Sequence, residues 1–199
     1  GTGANPTFSG KLRIISGGSV SFLAPVSANG GITISSNNGA LSTAANTLTT
    51  AGTLKINMGT GAVGTSVTAI KTAAATIDLT GTGEININNP NADVIILGTG
   101  FGSGTLAKKI VADKITVGAG TVLGRAFDDR ATTVVSTLEL SGSSNIFITN
   151  TGSIALSDGS TTQASSTIDI GAVSGITVNS FDAGGTQGSS LVLNSGTGI

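Results

Sequence analysis

Short pieces of the form apolar-x-apolar recur along this chain, set between runs of Gly, Ser, Thr and Asn. One series begins at Leu54 ("LKIN"), Ile85 ("ININ"), Ile115 ("ITVG"), Ile146 ("IFIT") and Ile176 ("ITVN"), at nearly constant spacing. A second precedes it by eight residues at Ile77, Leu138 and Ile168, and a third runs through Ile32, Val94, Val122 and Ile154. Apolar positions alternating over about four residues mark short strands with one buried side. Strands that short do not hold together alone. Stacked one period on the next, they pair with their own copies above and below. The pattern therefore predicts an all-β fold, a parallel β-helix (solenoid) of about six coils, each of roughly 30 residues with three short strands. It reads as a single domain over residues 1–199, with 1–40 less regular.

In that register Leu54, Ile85, Ile115, Ile146 and Ile176 stack as one internal aliphatic ladder. Ile56, Ile87, Val117, Ile148 and Val178 form the next. The residue that follows reads Asn57, Asn88, Gly118, Thr149 and Asn179. Asn tolerates turn conformations and bonds turn backbone groups. Asn57, Asn88 and Asn179 are thus expected to stack at one corner, an arrangement that resembles the asparagine ladder of right-handed β-helices.

The stretch "VIILGTGFGSGTLAKKIVADKITV" (94–117) has the outline of a dinucleotide-binding unit: strand, glycine cluster, helix-like segment, strand. Its third glycine position is Ser103, and no acid closes the next strand, which runs into "ITVGAG". A better-spelled match lies at Gly59, Gly61 and Gly64, yet a chain so rich in glycine makes such matches cheap. The repeat places these glycines in turns, so no bound nucleotide is expected.

Composition narrows the chemistry. Charged residues are 10% and aromatic residues 3%, and His and Cys are absent. That removes histidine acid–base catalysis, cysteine nucleophiles, disulfides and nearly all zinc, copper and haem sites. No cofactor is expected. A net charge of −1 gives no field to draw nucleic acid, and no apolar run is long enough to span a membrane as a helix. The chain opens on Gly1 rather than Met, which reads as a processed chain or an excerpt of a longer one.

Few constellations remain. "RAFDDR" (125–130) carries Asp128 and Asp129, a candidate cation site or carboxylate pair, flanked by Arg125 and Arg130; it reads as a self-neutralised surface loop. Asp78, Lys108, Glu139 and Asp169 share one position of the expected period and read as an outward row in which Lys108 separates acids, leaving Glu139 and Asp169 adjacent. Asp158 and Asp182 sit in glycine-rich turns, but one carboxylate does not supply the oxygens that calcium needs. No metal site is assigned, and no N-glycosylation acceptor occurs.

The segment "LELSGSSNIFITNTGSIALSDG" (138–159), with its Ile-x-Ile core and Gly/Ser/Thr/Asn turns, resembles the parallel β-helix regions of bacterial surface adhesins of the filamentous haemagglutinin and autotransporter-passenger kinds. The resemblance implies an extracellular or cell-surface location and a structural or adhesive role, with no catalytic residue carried over. The expected partners are copies of the chain joined head to tail, or neighbouring coils of a longer chain. A host or abiotic surface or a polysaccharide is a further candidate. The alternative is a polysaccharide-binding or polysaccharide-cleaving β-helix, against which the absence of Trp and Tyr weighs. Neither end carries the charge that would repel an incoming strand edge.

Overall fold

In the computed structural model, every pairing between strands among the described residues is parallel. Each strand pairs with one lying a single coil further along the chain, as Leu54 does with Ile77 and Ile70 with Ile87. Parallel partners need a long crossover between them. Here the crossover is the remainder of a coil, so the backbone winds into an all-β parallel solenoid of about seven turns. The structure describes residues 5–65, 67–98, 100–102, 108–118, 121–124, 126, 128–143, 145–161, 166–182 and 189–197.

Three faces make up each turn. The first face starts with Thr7–Phe8 and Val26–Ala28 and ends with Thr167–Ala172 and Ser190–Ser195. The second starts with Leu12–Ser16 and Ile32–Ser36 and ends with Ile154–Thr161 and Ile176–Val178. Four longer strands, Thr47–Asn57, Ile70–Thr80, Ile85–Leu97 and Lys108–Val117, bend at a register shift and serve both faces. The third face is sparser, with Val20–Ser21 on Leu41–Ser42 and single bridges from Leu41 to Val63 and from Val63 to Ile85.

Alternation along each strand sends every second side chain inward. On the second face, Leu12, Ile32, Leu54, Ile77, Ile96, Val117 and Leu140 oppose one another in turn. All but Leu12 are buried. Burying an aliphatic side chain of this size contributes roughly 1.5–3 kcal/mol, which is what offsets the ordering of so many short strands.

The fold class expected from the pattern is the one present, but the real period is shorter than the expected one. The second-face ladder steps from Leu12 to Ile32, Leu54 and Ile77, and so gains a coil about every two-thirds of the expected interval. Leu54, Ile85, Ile115, Ile146 and Ile176 are all buried, yet no two of them are neighbours. Leu54 opposes Ile32 and Ile77; Ile85 opposes Val63 and Lys108. Ile115 opposes Val94 and Leu138, Ile146 opposes Leu123 and Ile168, and Ile176 opposes Ile154. Leu54, Ile115 and Ile176, every second member of the series, lie on the second face. Ile85 and Ile146, the members between them, lie where the third face passes into the first. Two of the expected periods therefore span three real turns. All three faces carry the same apolar-x-apolar signature, so spacing alone merges positions of one face with those of another.

The true period is written in the glycines. Gly18, Gly39, Gly61 and Gly83 form a column at the corner between the second and third faces, one glycine to a coil. A Cβ on Gly39 would lie 2.1 Å from the carbonyl carbon of Gly18, one on Gly61 1.9 Å from the oxygen of Gly39, and one on Gly83 2.2 Å from the oxygen of Gly61. At this corner one coil's backbone lies directly on the last. Of the glycines in the dinucleotide-like match, Gly59 and Gly61 belong to this corner, while Gly64 follows the third-face bridge at Val63. Gly59 and Gly64 have φ of 59° and 74°, a region that side chains disfavour. Likewise Gly98 of the 94–117 stretch ends a strand at φ 90°, and no helix follows among the described residues: Gly100–Gly102 is a single 3-10 turn and Lys108–Val117 is a strand.

Gly61→Val should lower the unfolding free energy by about 3 kcal/mol or more, because its clash is with backbone that cannot rotate away. Gly17→Ala, where a Cβ meets open space, should change it by less than about 0.5 kcal/mol. Urea unfolding followed by circular dichroism checks the pair; equal midpoints would contradict the stacked corner.

Candidate functional site

Polar side chains that hold the coils in place are few and specific. Asn57, Asn88 and Asn179 do not form a ladder. Asn57 is exposed, opposes Ser35 and Thr80, and its Oδ1 accepts the amide of Gly59 in its own turn. Asn88 opposes Lys71 and Val111, and Asn179 is exposed beyond the strand Ile176–Val178. Two amides buried more deeply stand one position further on, at Asn89 and Asn150. In a strand the residue after an inward Ile points out and the next points in, so the expected column was displaced by one residue onto the wrong side.

Asn89 and Asn150 make the same set of bonds at the same corner, between the first and second faces. Asn89 Oδ1 accepts from Thr72 Oγ1 (2.9 Å) and the Ala74 amide (3.0 Å), while its Nδ2 donates to the Ala74 carbonyl (3.2 Å). Asn150 Oδ1 accepts from Thr133 Oγ1 (2.9 Å) and the Val135 amide (3.1 Å), and its Nδ2 donates to the Val135 carbonyl (3.1 Å) and the Ser153 carbonyl (3.1 Å). Each staples a corner of the preceding coil, whose amide and carbonyl would otherwise be buried without partners. A signal was available: Thr72 and Thr133 stand at the same distance in sequence before their Asn.

The expected row of Asp78, Lys108, Glu139 and Asp169 does not exist, because it rested on the longer period. Each falls in a different pair between coils, adjoining ones for Asp78, Lys108 and Glu139 and two coils apart for Asp169 with Arg130. Lys55 meets Asp78 at 2.8 Å, Lys114 meets Glu139 at 2.5 Å, Arg130 meets Asp169 at 2.5 Å, and Lys108 stands 3.9 Å from Asp129. Glu139 and Asp169 are thus not adjacent. Lys108 and Asp169 are buried rather than exposed; Lys108 continues the inward register of Val63 and Ile85, while Asp169 stands on the outer side between Ile168 and Ile170, covered by Arg130. Of "RAFDDR", Asp129 and Arg130 do not neutralise each other but pair elsewhere. Asp128 is exposed, while Asp129 and Arg130 reach other coils; Arg130 also donates to the carbonyls of Ile148 (2.7 Å) and Asp169 (3.3 Å). Arg125 lies outside the described residues. Asp182 is exposed, and Asp158 lies in the strand Ile154–Thr161 opposite Glu139. Among the described residues no group of three acidic side chains converges to hold a metal.

Two of these pairs shift their groups. The Lys55 ammonium is held above its ordinary value by its hydrogen bond to Asp78 and then by that charge. Glu139 is held below the ordinary carboxylate value, first by its hydrogen bond to Lys114 and then by that from Thr116 (3.0 Å). Both pairs face solvent, so their contribution is small and screened by salt.

One recess on the outer surface gathers polar side chains from successive coils. It has a volume of about 420 Å³ and is walled by Glu84, Asn86, Lys109, Arg130, Thr132 and Thr151. Asn86, Lys109, Thr132 and Thr149 follow one another across the first-face sheet as an outward row. Ile85 and Val134 add apolar patches to the wall.

No family model, no curated protein and no solved structure matches this chain. No helix among the described residues is long and apolar enough to cross a membrane.

Asn150→Leu should cost about 3 kcal/mol, since it strands a buried amide and carbonyl. Asn57→Ala should cost no more than about 1 kcal/mol. A similar loss at both positions in chemical unfolding would restore the Asn57 column. Because Glu139 is ionised more readily in the folded state, its pair contributes at neutral pH. That contribution is lost as the pH falls through the folded-state value. Glu139→Gln should therefore flatten the acid limb of the stability–pH profile, and an unchanged limb would contradict the pairing.

Proposed function

We propose that this chain is a non-enzymatic structural and adhesive element of an extracellular or cell-surface solenoid, continued end-on by further coils or by copies of itself. The observation that carries this reading is the state of the two ends of the described solenoid. Thr7–Phe8, Leu12–Ser16 and Val20–Ser21 each pair on one side only, as do Ile176–Val178 and Ser190–Ser195 at the other end. The inward ladders are cut open there. Leu12, Ile14, Leu191 and Leu193 are only partly covered, whereas Ile32, Ile34, Ile168 and Ile170, at the same registers one coil inward, are fully buried. Most of the exposed large apolar side chains also belong to the end coils: Phe8, Ile15 and Leu23 at one end, Val173, Val178 and Val192 at the other. Open parallel edges with apolar interiors are templates for added strands. A join between the two ends is head to tail, which propagates as an open fibre.

The charge distribution among the described residues favours structure over catalysis. Asp78, Asp129, Glu139 and Asp169 each face a cation on another coil. The second reading, a polysaccharide-binding β-helix, is favoured by the polar recess around Lys109.

Sedimentation velocity over a concentration series, with hydrogen exchange on the same samples, tests the reading. The expected result is end-on association that grows with concentration, or rapid exchange confined to the end strands with protection around Ile77 and Ile96. A monomer at high concentration whose end coils are as protected as its middle would overturn it.

A further inference from the structure

In the recess walled by Glu84, Asn86, Lys109, Arg130, Thr132 and Thr151, Asn86 and Arg130 tie coils together through the Thr65 and Ile148 carbonyls, and the remaining side chains give its chemistry a direction. Lys109 is exposed and stands in the outward row between Asn86 and Thr132, one residue of each on the adjoining coils. It has no carboxylate partner among the described residues. Its neighbours are otherwise engaged: Asp129 faces Lys108, and Arg130 is tied to Asp169 and to the carbonyl of Ile148. The ammonium of Lys109 is therefore the charge the recess leaves to a ligand. Around it stand hydroxyls (Thr132, Thr151) and the Glu84 carboxylate. These exchange hydrogen bonds with sugar hydroxyls, Glu84 as acceptor only and the threonines both ways. Val134 gives C–H surface that suits the less polar side of a pyranose ring. The volume suits one or two sugar rings, near the lower end of small-ligand sites.

We propose that this recess is a binding subsite for an anionic saccharide unit, with the sugar's carboxylate or sulfate on the Lys109 ammonium and its hydroxyls on Glu84, Thr132 and Thr151. The proposal rests on the adhesive reading above and deepens it by naming what the surface takes. The anion supplies the charge that Lys109 lacks, while Glu84, on the same wall, favours a ligand with hydroxyls over a bare inorganic anion.

Calorimetric titration tests this, using a galacturonate tetrasaccharide, a sulfated heparin tetrasaccharide, uncharged maltotetraose and inorganic phosphate as probes. One or both anionic saccharides should bind saturably, with weak affinity that falls as salt rises; the two arms tell carboxylate from sulfate. Lys109→Gln should weaken binding at least tenfold and Lys109→Arg should retain most of it. Thr132→Val should weaken it several-fold. Lys11→Gln, a change of the same charge in another coil, should leave it unchanged, and the melting points of all variants report folding. The proposal is overturned if neither anionic saccharide binds, if maltotetraose or phosphate binds equally well, or if Lys109→Gln binds as the parent does. End-on association without saccharide binding would sink this subsite and leave the structural reading standing. Binding by a monomer with protected ends would do the reverse.

Discussion

Everything in this molecule depends on one constraint: each coil must lay its backbone on the coil before it at strand spacing along three faces at once. Parallel pairing supplies hydrogen bonds only if the path repeats from turn to turn. The corners set the tolerance. Where the chain turns between the second and third faces, Gly39, Gly61 and Gly83 each leave no room for a Cβ over the backbone of the previous coil. Where it turns between the first and second faces at Asn89 and Asn150, a buried amide group bonds both the N–H and the C=O of the coil below. The apolar ladders stabilise the stack, and the corners fix where one coil sits on the next.

Charge follows the same rule. The chain has few ionisable residues, and the pairs among the described ones join coils rather than neighbours in sequence: Lys55 with Asp78, Lys114 with Glu139, Arg130 with Asp169. The exposed pairs add little to stability. Arg130 and Asp169 are different, since both side chains are mostly buried. Removing either partner would leave a charge in the interior, a loss on the order of 3–5 kcal/mol. That pair, with the bonds of Arg130 to the carbonyls of Ile148 and Asp169, clamps the coils that bear the recess. The outward row through Lys109 is thereby held on rigid strands and left exposed.

A solenoid of this kind has no centre at which a cleft forms. Its sides are flat sheets, its ends are strand edges, and its surface repeats with small variations from coil to coil. On the function proposed here, recognition would come from rows of side chains along the outside, and cohesion from the ends. The apolar groups left exposed at both ends and the isolated cation on the side are different devices, each following from a different departure from the repeat.

The sequence by itself determined the fold class. Alternating Ile-x-Ile pieces between Gly/Ser/Thr/Asn turns leave a parallel β-solenoid as the way to bury every strand, and Leu54, Ile85, Ile115, Ile146 and Ile176 are all buried in it. It also held the true period, in Gly18, Gly39, Gly61 and Gly83, though the apolar positions spoke for a different one. The three faces carry the same signature, so periodicity alone does not tell a step to the next coil from a step that also changes face. Only the tertiary structure decided which residues oppose which. With that came the partners of the charges, the inward place of Asn89 and Asn150 and the outward place of Asn57. The recess was not legible either, because Glu84, Lys109, Thr132 and Thr151 lie on successive coils. The physical reason is that side chains in a strand change sides at every residue, so register, which hydrogen bonding between coils sets, decides what each one touches.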